Sequence, residues 1–389
     1  MKAKLCDAQS KLTTYLKLTI FVNKKRITFI SVARSDFGRL YPTIEAVKNA
    51  SNFELQLIVS GNHNSEKYGG SIEEIKSKGL DIDLQIPITK KDLADISVEI
   101  TSGLNKWFSE VKADYFVILG DRYEMLAAAQ SAFLNNVPIV HIGGGYETAG
   151  AIDDRIRHAI TQLSSYHFTA TDKCRDRVMA LLGNDKGVFL SGAPDLEILK
   201  RIEPLTKKAF FDACGLSIDK PFVLVTIHPE TLLSLEENER NLKVFGSFLN
   251  DIEEQVLITA PCADPGSEKV FEMIEDLQNS SSGVCYIKSL GMKKYASAMK
   301  YAEMMIGNSS SGIIESATMG IPVLDVGCRQ KGREVNNNVL NSCFDIAELQ
   351  EKYLTLKSEY FKKICSEIDN IYGGEDFSGV FCEVLNSLK

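Results

Sequence analysis

The 389-residue sequence has no excess of basic residues, no C-x-x-C cysteine pair and no long apolar run. Acidic side chains outnumber basic ones, 52 to 44, and the resulting charge of −8 disfavours a nucleic-acid partner. The nine cysteines show no spacing typical of a metal site, so we expect reduced thiols in a cytoplasmic protein. Apolar clusters have only the length of strands, which predicts no membrane-spanning segment.

The length predicts two domains, and the hydrophobic fraction of 44% suffices for two packed cores. From Arg26 onwards, short β-branched runs alternate with longer amphipathic stretches, and the pattern restarts after residues 201–207. Such alternation indicates parallel sheets covered by helices on both faces. We therefore predict an α/β protein of two Rossmann-like, doubly wound domains, residues 26–200 and 201–389, with a cleft between them. Residues 1–25 are interpreted as a weakly structured extension.

The pattern also places the individual elements. The predicted strands are RITFISV, ELQLIV, YFVIL, VPIVHI and YHFTAT in the first half, and FVLVTI, QVLITA, VCYIK, EMMIG and PVLDVG in the second. The predicted helices include Asp92–Val111, Tyr123–Asn135, Asp153–Leu163, Glu237–Leu249, Ser267–Leu277, Lys293–Lys300 and Gly312–Met319.

Two charged clusters directly follow predicted strands. In VARSDFGRLYP, residues Arg34, Asp36 and Gly38 would occupy the turn into a helix, which suits an anionic group but equally fits an ordinary turn. In ILGDRYE, Asp121 and Arg122 follow a fully apolar strand, so the pair must face solvent or a cleft. The alternative for Asp121 is a cap of the next helix.

The segment HIGGGYETAGAIDDRIRH combines three glycines with a dense group of ionisable residues. The glycines permit unusual backbone angles and close approach of a ligand. Glu147, Asp153, Asp154, Arg157 and His158 follow within twelve residues, a density that indicates acid–base chemistry. The alternative is a pair of capping aspartates followed by a solvated arginine and histidine.

The segment IGNSSSGIIESATMGIPVLDVGCRQKGRE resembles a phosphate-binding turn. Ser309, Ser310 and Gly312 would open a helix and present N–H groups and hydroxyls to phosphate. Glu315 is expected on the first turn of that helix, where its carboxylate would accept ribose hydroxyls. Arg329, after the next strand, would add a positive charge. The segment contains neither a Walker nor a G-x-G-x-x-G motif, so it predicts a nucleotide or sugar phosphate in general.

The sequence has five histidines. His63, His141 and His228 end or follow predicted strands, at the edge where α/β folds bind ligands. His167 lies within a predicted strand and is interpreted as a core residue.

Together these segments resemble the UDP-N-acetylglucosamine 2-epimerase family, and most closely its hydrolysing branch, which serves sialic- and legionaminic-type sugar biosynthesis. The motifs that carry the resemblance are, in order, VARSDFGRLYP, SGNHNSEKYG, ILGDRYEMLAAA, GAIDDRIRHAIT, HPET, GNSSSGIIE and GCRQKGRE. The resemblance implies the arrangement of B-type glycosyltransferases, with the last helix packing back on the first domain. It also implies a homo-oligomer, a dimer or a tetramer.

The family implies an elimination of UDP across C1 and C2 of UDP-N-acetylglucosamine to give a glycal, followed by hydration to free N-acetylmannosamine. No cofactor and no metal are implied. One alternative is the same reaction on UDP- or GDP-linked 2,4-diacetamido-2,4,6-trideoxyglucose, giving the corresponding mannose derivative. A B-type glycosyltransferase and a non-catalytic nucleotide-sugar sensor are more remote alternatives.

The resemblance also implies roles for individual residues. The acid–base candidates are Asp121, Glu147, Asp153 and His228. The substrate-binding candidates are Arg34, Asp36, His63, Arg122, Arg157, His158, Ser309, Ser310, Gly312, Glu315 and Arg329.

The glycine loop departs from the family pattern, because many bacterial relatives place a glutamate directly after the glycines. Here Tyr146 stands in that place and Glu147 follows it. With one inserted residue Glu147 is the equivalent of the family glutamate, and we favour this alignment because the alternative leaves only two carboxylates for several proton transfers. The changed loop also indicates a changed sugar pocket.

Overall fold

The computed structural model describes residues 24–64, 71–148, 152–262, 264–373 and 376–388. The proposed extension over residues 1–25 lies outside these ranges except for its last two residues, and Lys25 already begins the first strand. Within the described ranges, no helix combines the length and the apolar character needed to cross a membrane.

The first half of the chain forms a seven-stranded parallel sheet. Its strands are β1 (Lys25–Ser31), β2 (Phe53–Val59), β3 (Leu84–Gln85), β4 (Tyr115–Leu119), β5 (Ile139–Ile142), β6 (Tyr166–Thr169) and β7 (Val188–Leu190). Their order in the sheet is β3-β2-β1-β4-β5-β6-β7. The helices of this half are α1 (Arg34–Asn49), α2 (Ile72–Ser77), α3 (Leu93–Glu110), α4 (Tyr123–Leu134), α5 (Asp153–Leu163), α6 (Asp172–Leu182) and α7 (Pro194–Arg201), with a 3-10 helix at Gly61–Asn64.

The second half forms a six-stranded parallel sheet. Its strands are β8 (Phe222–Thr226), β9 (Gln255–Thr259), β10 (Val284–Ile287), β11 (Met304–Gly307), β12 (Val323–Val326) and β13 (Val339–Ser342), in the order β10-β9-β8-β11-β12-β13. The helices are α8 (Lys207–Cys214), α9 (Leu235–Asp251), α10 (Ser267–Ser280), α11 (Gly291–Tyr301), α12 (Ser311–Ile314), α13 (Ile346–Lys357), α14 (Glu359–Ser366) and α15 (Phe377–Ser387), with a 3-10 helix at Ser316–Met319.

Each sheet reverses its winding direction once, next to its first strand. In the first sheet β1 pairs with both β2 and β4, and in the second β8 pairs with both β9 and β11. This is the order of a Rossmann fold, and the reversal opens a crevice at the carboxyl ends of the strands. The prediction of two doubly wound parallel sheets is therefore confirmed.

The last helix of the chain packs against the first sheet. Phe381 of α15 lies 4.9 Å from Phe168 of β6 and 6.0 Å from Phe29 of β1, measured between ring centroids. Ser378 donates its N–H and its hydroxyl to the buried Glu197 carboxylate of α7, at 2.8 and 2.7 Å. Each buried ring contributes about 1.5–3 kcal/mol relative to an exposed one, so this helix is part of the first core.

The sequence pattern missed three strands, β3, β7 and β13, which are two to four residues long and lie at sheet edges. Short edge strands carry too few buried residues to give an apolar run. Two helix expectations are also corrected. α1 already begins at Arg34, so Asp36 and Gly38 lie within its first turns. The predicted helix Gly312–Met319 is a four-residue helix followed by a 3-10 helix.

Candidate active site

The candidate site lies between the carboxyl ends of the two sheets, where loops from both halves touch. The Thr171 hydroxyl donates a hydrogen bond to the Glu334 carboxylate. The loop after β12 also approaches the loop after β5, since a Cβ atom built on Gly332 would lie 3.0 Å from Cβ of Glu147. The strand ends of both sheets therefore line one shared cleft.

Arg157 organises one end of this cleft, and its side chain is fully buried. The guanidinium donates to the carboxylates of Asp121 and Asp154, to the carbonyl oxygen of Tyr146 at 2.7 Å and to the Thr148 hydroxyl at 3.1 Å. Thr148 in turn donates its N–H and its hydroxyl to Asp154, at 2.7 and 2.9 Å. Breaking a buried ion pair by removing one partner costs about 3–5 kcal/mol, so the arginine holds both aspartates in place.

Asp121 and Asp154 form ion pairs with Arg157 and do not cap helices. The N-cap residue of α4 is Arg122 and that of α5 is Ile152, and neither makes a side-chain capping bond. The structure therefore replaces the capping interpretation of Asp121 with an ion pair between the loop after β4 and helix α5.

Asp121 and Asp153 titrate in opposite directions although they lie close together. Burial acts to raise the pKa of Asp121, but the charges of Arg157, Arg333 and Arg39 outweigh it and hold the pKa below its ordinary value. Burial, and secondly the charge of Asp121, raise the pKa of Asp153 to about 6. The cleft thus holds one carboxylate that stays ionised and one that exchanges protons near neutral pH.

Glu147 and His158 are more exposed to solvent than Asp121. The Glu147 carboxylate accepts a hydrogen bond from Arg177 at 2.7 Å, and 40% of its side chain is exposed. The neighbouring Tyr146 is turned inwards, with Arg333 5.2 Å above its ring and Tyr372 6.0 Å away. His158, one residue after the buried Arg157, is exposed.

His228 follows β8 and is held in one tautomer. Its Nδ1 accepts a hydrogen bond from the Cys262 N–H at 3.0 Å, so the neutral ring carries its proton on Nε2. Its backbone N–H and carbonyl are both bound to the Asn308 amide, at 2.7 and 2.9 Å. Burial, and secondly the charge of Arg329, lower the pKa of His228 well below its ordinary value. The ring is therefore a neutral N–H donor near pH 7.

The small-residue turn after β11 lies beside His228. Ser310 precedes α12, and the Ser309 hydroxyl lies 3.1 Å from that of Ser311, which also bonds to the Tyr295 hydroxyl. Gly312 packs closely, since a Cβ there would lie 3.1 Å from Val323. The turn therefore presents its N–H groups and hydroxyls at the same strand ends as His228.

Glu315 ends the short helix α12 and does not lie on the first turn of a long one, which corrects the expectation above. Burial, and secondly the charge of Asp195, raise the pKa of Glu315 to about 8 against the opposing charge of Arg39. The buried Asp195 lies on α7 of the first half, and its Oδ1 lies 3.8 Å from Nε of Arg39. Glu315 is thus largely protonated at neutral pH.

Three of the predicted substrate-binding residues form ion pairs within their own half of the chain. Arg34 pairs with Glu74 at 2.8 Å and is 45% exposed, whereas the buried Asp36 pairs with Arg39 at 3.1 Å. In the second half, Arg329 pairs with Asp264 at 3.4 Å.

Arg122 and His63 lie near each other, since the charge of Arg122 acts on the His63 ring. Arg122 forms two hydrogen bonds with the buried Glu124 carboxylate, at 2.9 and 3.2 Å. His63 is buried between the hydroxyls of Ser31, at 2.8 Å, and Ser71. Burial lowers the pKa of His63 to about 4, so its ring is neutral. Among the residues that the structure describes, no group of three His, Cys, Asp or Glu side chains is placed to hold a metal ion.

Glu230 of the HPET motif shapes the site and was not predicted. Its buried carboxylate accepts the Cys328 N–H, and a Cβ on Gly327 would collide with it at 2.4 Å. Glu230 therefore supports the loop that carries Arg329. The motif HPET contains this signal, because a buried glutamate four residues after the end of β8 needs backbone donors.

Both the sequence and the structure are similar to those of known proteins. The sequence profile described as UDP-N-acetylglucosamine 2-epimerase matches residues 45–386. A GDP/UDP-N,N'-diacetylbacillosamine 2-epimerase (hydrolyzing) of Campylobacter jejuni is 34% identical over 88% of this chain and 90% of its own length. A UDP-N,N'-diacetylbacillosamine 2-epimerase (hydrolyzing) of Legionella pneumophila is 30% identical over 90% of this chain and 92% of its own.

One solved structure shows the same architecture. It is a UDP-GlcNAc 2-epimerase from Neisseria meningitidis bound to UDP-GlcNAc, with a TM-score of 0.82 over 93% of this chain and all of the other. The sequences are 18% identical, so the similarity concerns the fold.

Proposed function

Since the chain belongs to the UDP-N-acetylglucosamine 2-epimerase family, we propose that it is a hydrolysing 2-epimerase of nucleoside-diphosphate-linked 2,4-diacetamido-2,4,6-trideoxyglucose. The products are the nucleoside diphosphate and free 2,4-diacetamido-2,4,6-trideoxymannose. The relatives named for this diacetamido sugar support the substrate, because they match the chain over most of its length. We place the reaction in the synthesis of sialic- and legionaminic-type sugars.

UDP-N-acetylglucosamine is the second candidate substrate. The description of the matching family supports it, as does the bound ligand of the Neisseria meningitidis structure. Both sugars carry an acetamido group at C2, so the elimination chemistry is the same for both.

The observation that carries the proposal is the pair of opposed carboxyl groups, Asp121 and Asp153. Elimination moves the C2 proton to a base while the C1–O bond breaks and the diphosphate leaves with the electron pair. A carboxyl group with a pKa of about 6 suits the base, and we assign this role to Asp153. Asp121, kept ionised by Arg157, would stabilise the positive charge that develops on the sugar ring.

The second half of the chain would stabilise the leaving group. The Nε2–H of His228, the charge of Arg329 and the N–H groups of the turn at Ser309 and Ser310 would bind the diphosphate. Such donors stabilise the negative charge as it develops on the phosphate. The Glu315 side chain would bind ribose hydroxyls.

The second step adds water across C1 and C2, and inversion requires that the new C2 proton arrives from the opposite face. We assign this proton to Glu147, because its side chain is 40% exposed to solvent and lies on the loop that leads into α5, six residues before Asp153. Arg177 would position it.

Turnover in deuterium oxide tests the proposal. The protein is incubated separately with the UDP- and GDP-linked diacetamido sugars and with UDP-N-acetylglucosamine, without acceptor, and products are identified by NMR and mass spectrometry. We expect nucleotide release and a free manno sugar with deuterium at C2, most rapidly from a diacetamido donor. A protein that turns over none of these donors contradicts the proposal, and faster turnover of UDP-N-acetylglucosamine replaces the substrate with the second candidate.

Two substitutions separate the steps. Asp153→Asn should lower the rate of nucleotide release by about 10³-fold, because no base removes the C2 proton. Glu147→Gln should still release nucleotide and accumulate the glycal, because only the later protonation is lost. Asp176→Asn, on the exposed surface of α6, serves as the control. A fully active Glu147→Gln variant excludes the assigned role.

A further inference from the structure

Arg333 has two buried donors that lack acceptors among the described residues, whereas Arg157 has one, its Nε, beside four hydrogen bonds that it donates. The Nε and Nη1 atoms of Arg333 are inaccessible to solvent and form no hydrogen bond. Leaving a buried donor unpaired costs about 1–3 kcal/mol, and more when the group is charged. Such a cost at the end of a ligand cleft indicates that a ligand supplies the missing acceptors.

The surroundings of Arg333 place it at the sugar end of the cleft. Its guanidinium lies 5.2 Å above the ring of Tyr146, whose own carbonyl oxygen binds Arg157. Tyr372 lies 6.0 Å from Tyr146 and donates its hydroxyl to the carbonyl of Glu334 at 2.6 Å. The two aromatic rings and the guanidinium thus line one wall beside the site's ion pair.

The carboxylate that acts on Arg333 already has another partner. Asp121 acts on Arg333 electrostatically, but its carboxylate is bound to Arg157. Burial, and secondly the charge of Arg157, lower the pKa of Arg333. The donors assigned to the diphosphate, His228 and Arg329, follow strands of the second sheet, and Arg329 precedes Arg333 by four residues.

An acetamido group fits this wall better than a hydroxyl does. Its carbonyl oxygen is a strong acceptor with two lone pairs, and its planar amide packs on an aromatic ring. We propose that Arg333, together with Tyr146 and Tyr372, forms a subsite that recognises an acetamido group of the sugar, Arg333 donating to the carbonyl oxygen. The inference rests on the proposed function and adds to it the residue that selects acetamido sugars.

The acetamido group at C2 is common to both candidate substrates, whereas the group at C4 occurs only in the diacetamido sugar. Comparing the two substrates shows whether Arg333 binds the acetamido group at C2 or the one at C4. An arginine that binds the C2 group serves both sugars equally, and one that binds the C4 group serves only the diacetamido donor.

The test compares Arg333→Met, which keeps the stem of the side chain, and Arg333→Lys, which keeps the charge. Arg175→Met, on the exposed face of α6, is the matched control. Calorimetry measures the affinity for UDP and for each UDP-sugar, with Asp153→Asn as the background that prevents turnover. Steady-state kinetics then give KM and kcat for each sugar in the active background, and thermal unfolding checks the fold.

We expect Arg333→Met to weaken UDP-sugar binding and raise KM by about 10- to 100-fold, while the affinity for UDP changes by less than about twofold. The lysine variant should recover only part of the loss. An equal loss for UDP would assign Arg333 to the diphosphate and overturn the proposal, as would unchanged binding of every UDP-sugar. Failure of the proposed function is a separate result, since the wild-type protein would then bind sugar nucleotides without converting them.

Discussion

The backbone N–H of Cys262 donates to Nδ1 of His228 across 3.0 Å and thereby sets which nitrogen of the imidazole carries the proton. Because Nδ1 is used as an acceptor, Nε2–H is the donor that remains for a ligand. The ring is buried and lies near Arg329, so it stays neutral at physiological pH. His228 is therefore suited to bind the leaving diphosphate and poorly suited to act as a base.

This relationship predicts different effects for two amide replacements of His228. His228→Gln can place an amide N–H close to the position of Nε2, whereas His228→Asn can replace only the Nδ1 acceptor. We expect the glutamine variant to retain at least about tenfold more activity than the asparagine variant, because loss of a donor to a developing anion costs about 10²- to 10³-fold. The rates of nucleotide release measure this. Equal activity of the two variants would contradict the donor role.

Replacing Arg157 should impair chemistry more than nucleotide binding. Without the guanidinium, Asp121 loses the charge that keeps its pKa low, so a larger fraction becomes protonated. We expect Arg157→Met to lower kcat by about 100-fold or more and to reduce stability by about 3–5 kcal/mol, with UDP affinity little changed. Arg155→Met, exposed on the same helix, is the control for kinetics and thermal unfolding. A variant that is as active as this control rules out the role of Arg157.

The raised pKa of Asp153 predicts a pH dependence of activity. As the assigned base it must be ionised, so kcat/KM should rise with pH through about 6 and level off above 7. The rate of nucleotide release between pH 4.5 and 8 checks this. A profile that is flat across this range would remove Asp153 from the base role.

The same group predicts a pH dependence of stability. Its pKa is about 6 in the folded protein against 3.8 in the unfolded chain, so the penalty of the buried charge is absent below pH 4 and complete above pH 6. Asp153→Asn removes this penalty. The variant should therefore be more stable than wild type by about 1–2 kcal/mol at pH 7.5, after allowance for partial exposure, and equally stable at pH 4. Urea unfolding at both pH values measures the difference.

Glu315 should bind nucleotide in its protonated form. Its pKa of about 8 leaves the neutral acid as the main species at pH 6.5, and glutamine has nearly the same shape. We expect Glu315→Gln to keep the affinity for UDP within about threefold at pH 6.5, which corresponds to about 0.6 kcal/mol. Calorimetry at pH 6.5 and 9 tests this, and Glu303→Gln on the protein surface is a suitable control. A loss of affinity by more than about tenfold at pH 6.5 would show that the ionised carboxylate is required.

The fold was largely predictable because each buried parallel strand is a short apolar run followed by a turn. The sequence pattern missed β3, β7 and β13 for the opposite reason, since edge strands of two to four residues bury little. The juxtaposition of Asp121 with Asp153 follows from the same rule, because both lie beyond strand ends at one edge of the sheet.

Contacts between the two halves could not be derived in this way. Arg333 contacts Tyr146, and Glu334 contacts Thr171, only because the carboxyl ends of the two sheets lie opposite each other. Local patterns along the sequence carry no information about that placement. The position of Glu147 against Arg177 was unpredictable for a similar reason, since it depends on how the glycine loop turns Tyr146 inwards.

The loop between β12 and β13 is held by a hydrogen bond to Glu230 and carries Arg329 and Arg333 four residues apart. A ligand that reaches from one arginine to the other is tethered at two points, and each tether strengthens the other. Once the bond between sugar and phosphate is cut, either fragment retains a single tether. If the two arginines bind as proposed, the intact donor would bind more tightly than either fragment, and the two products would dissociate independently.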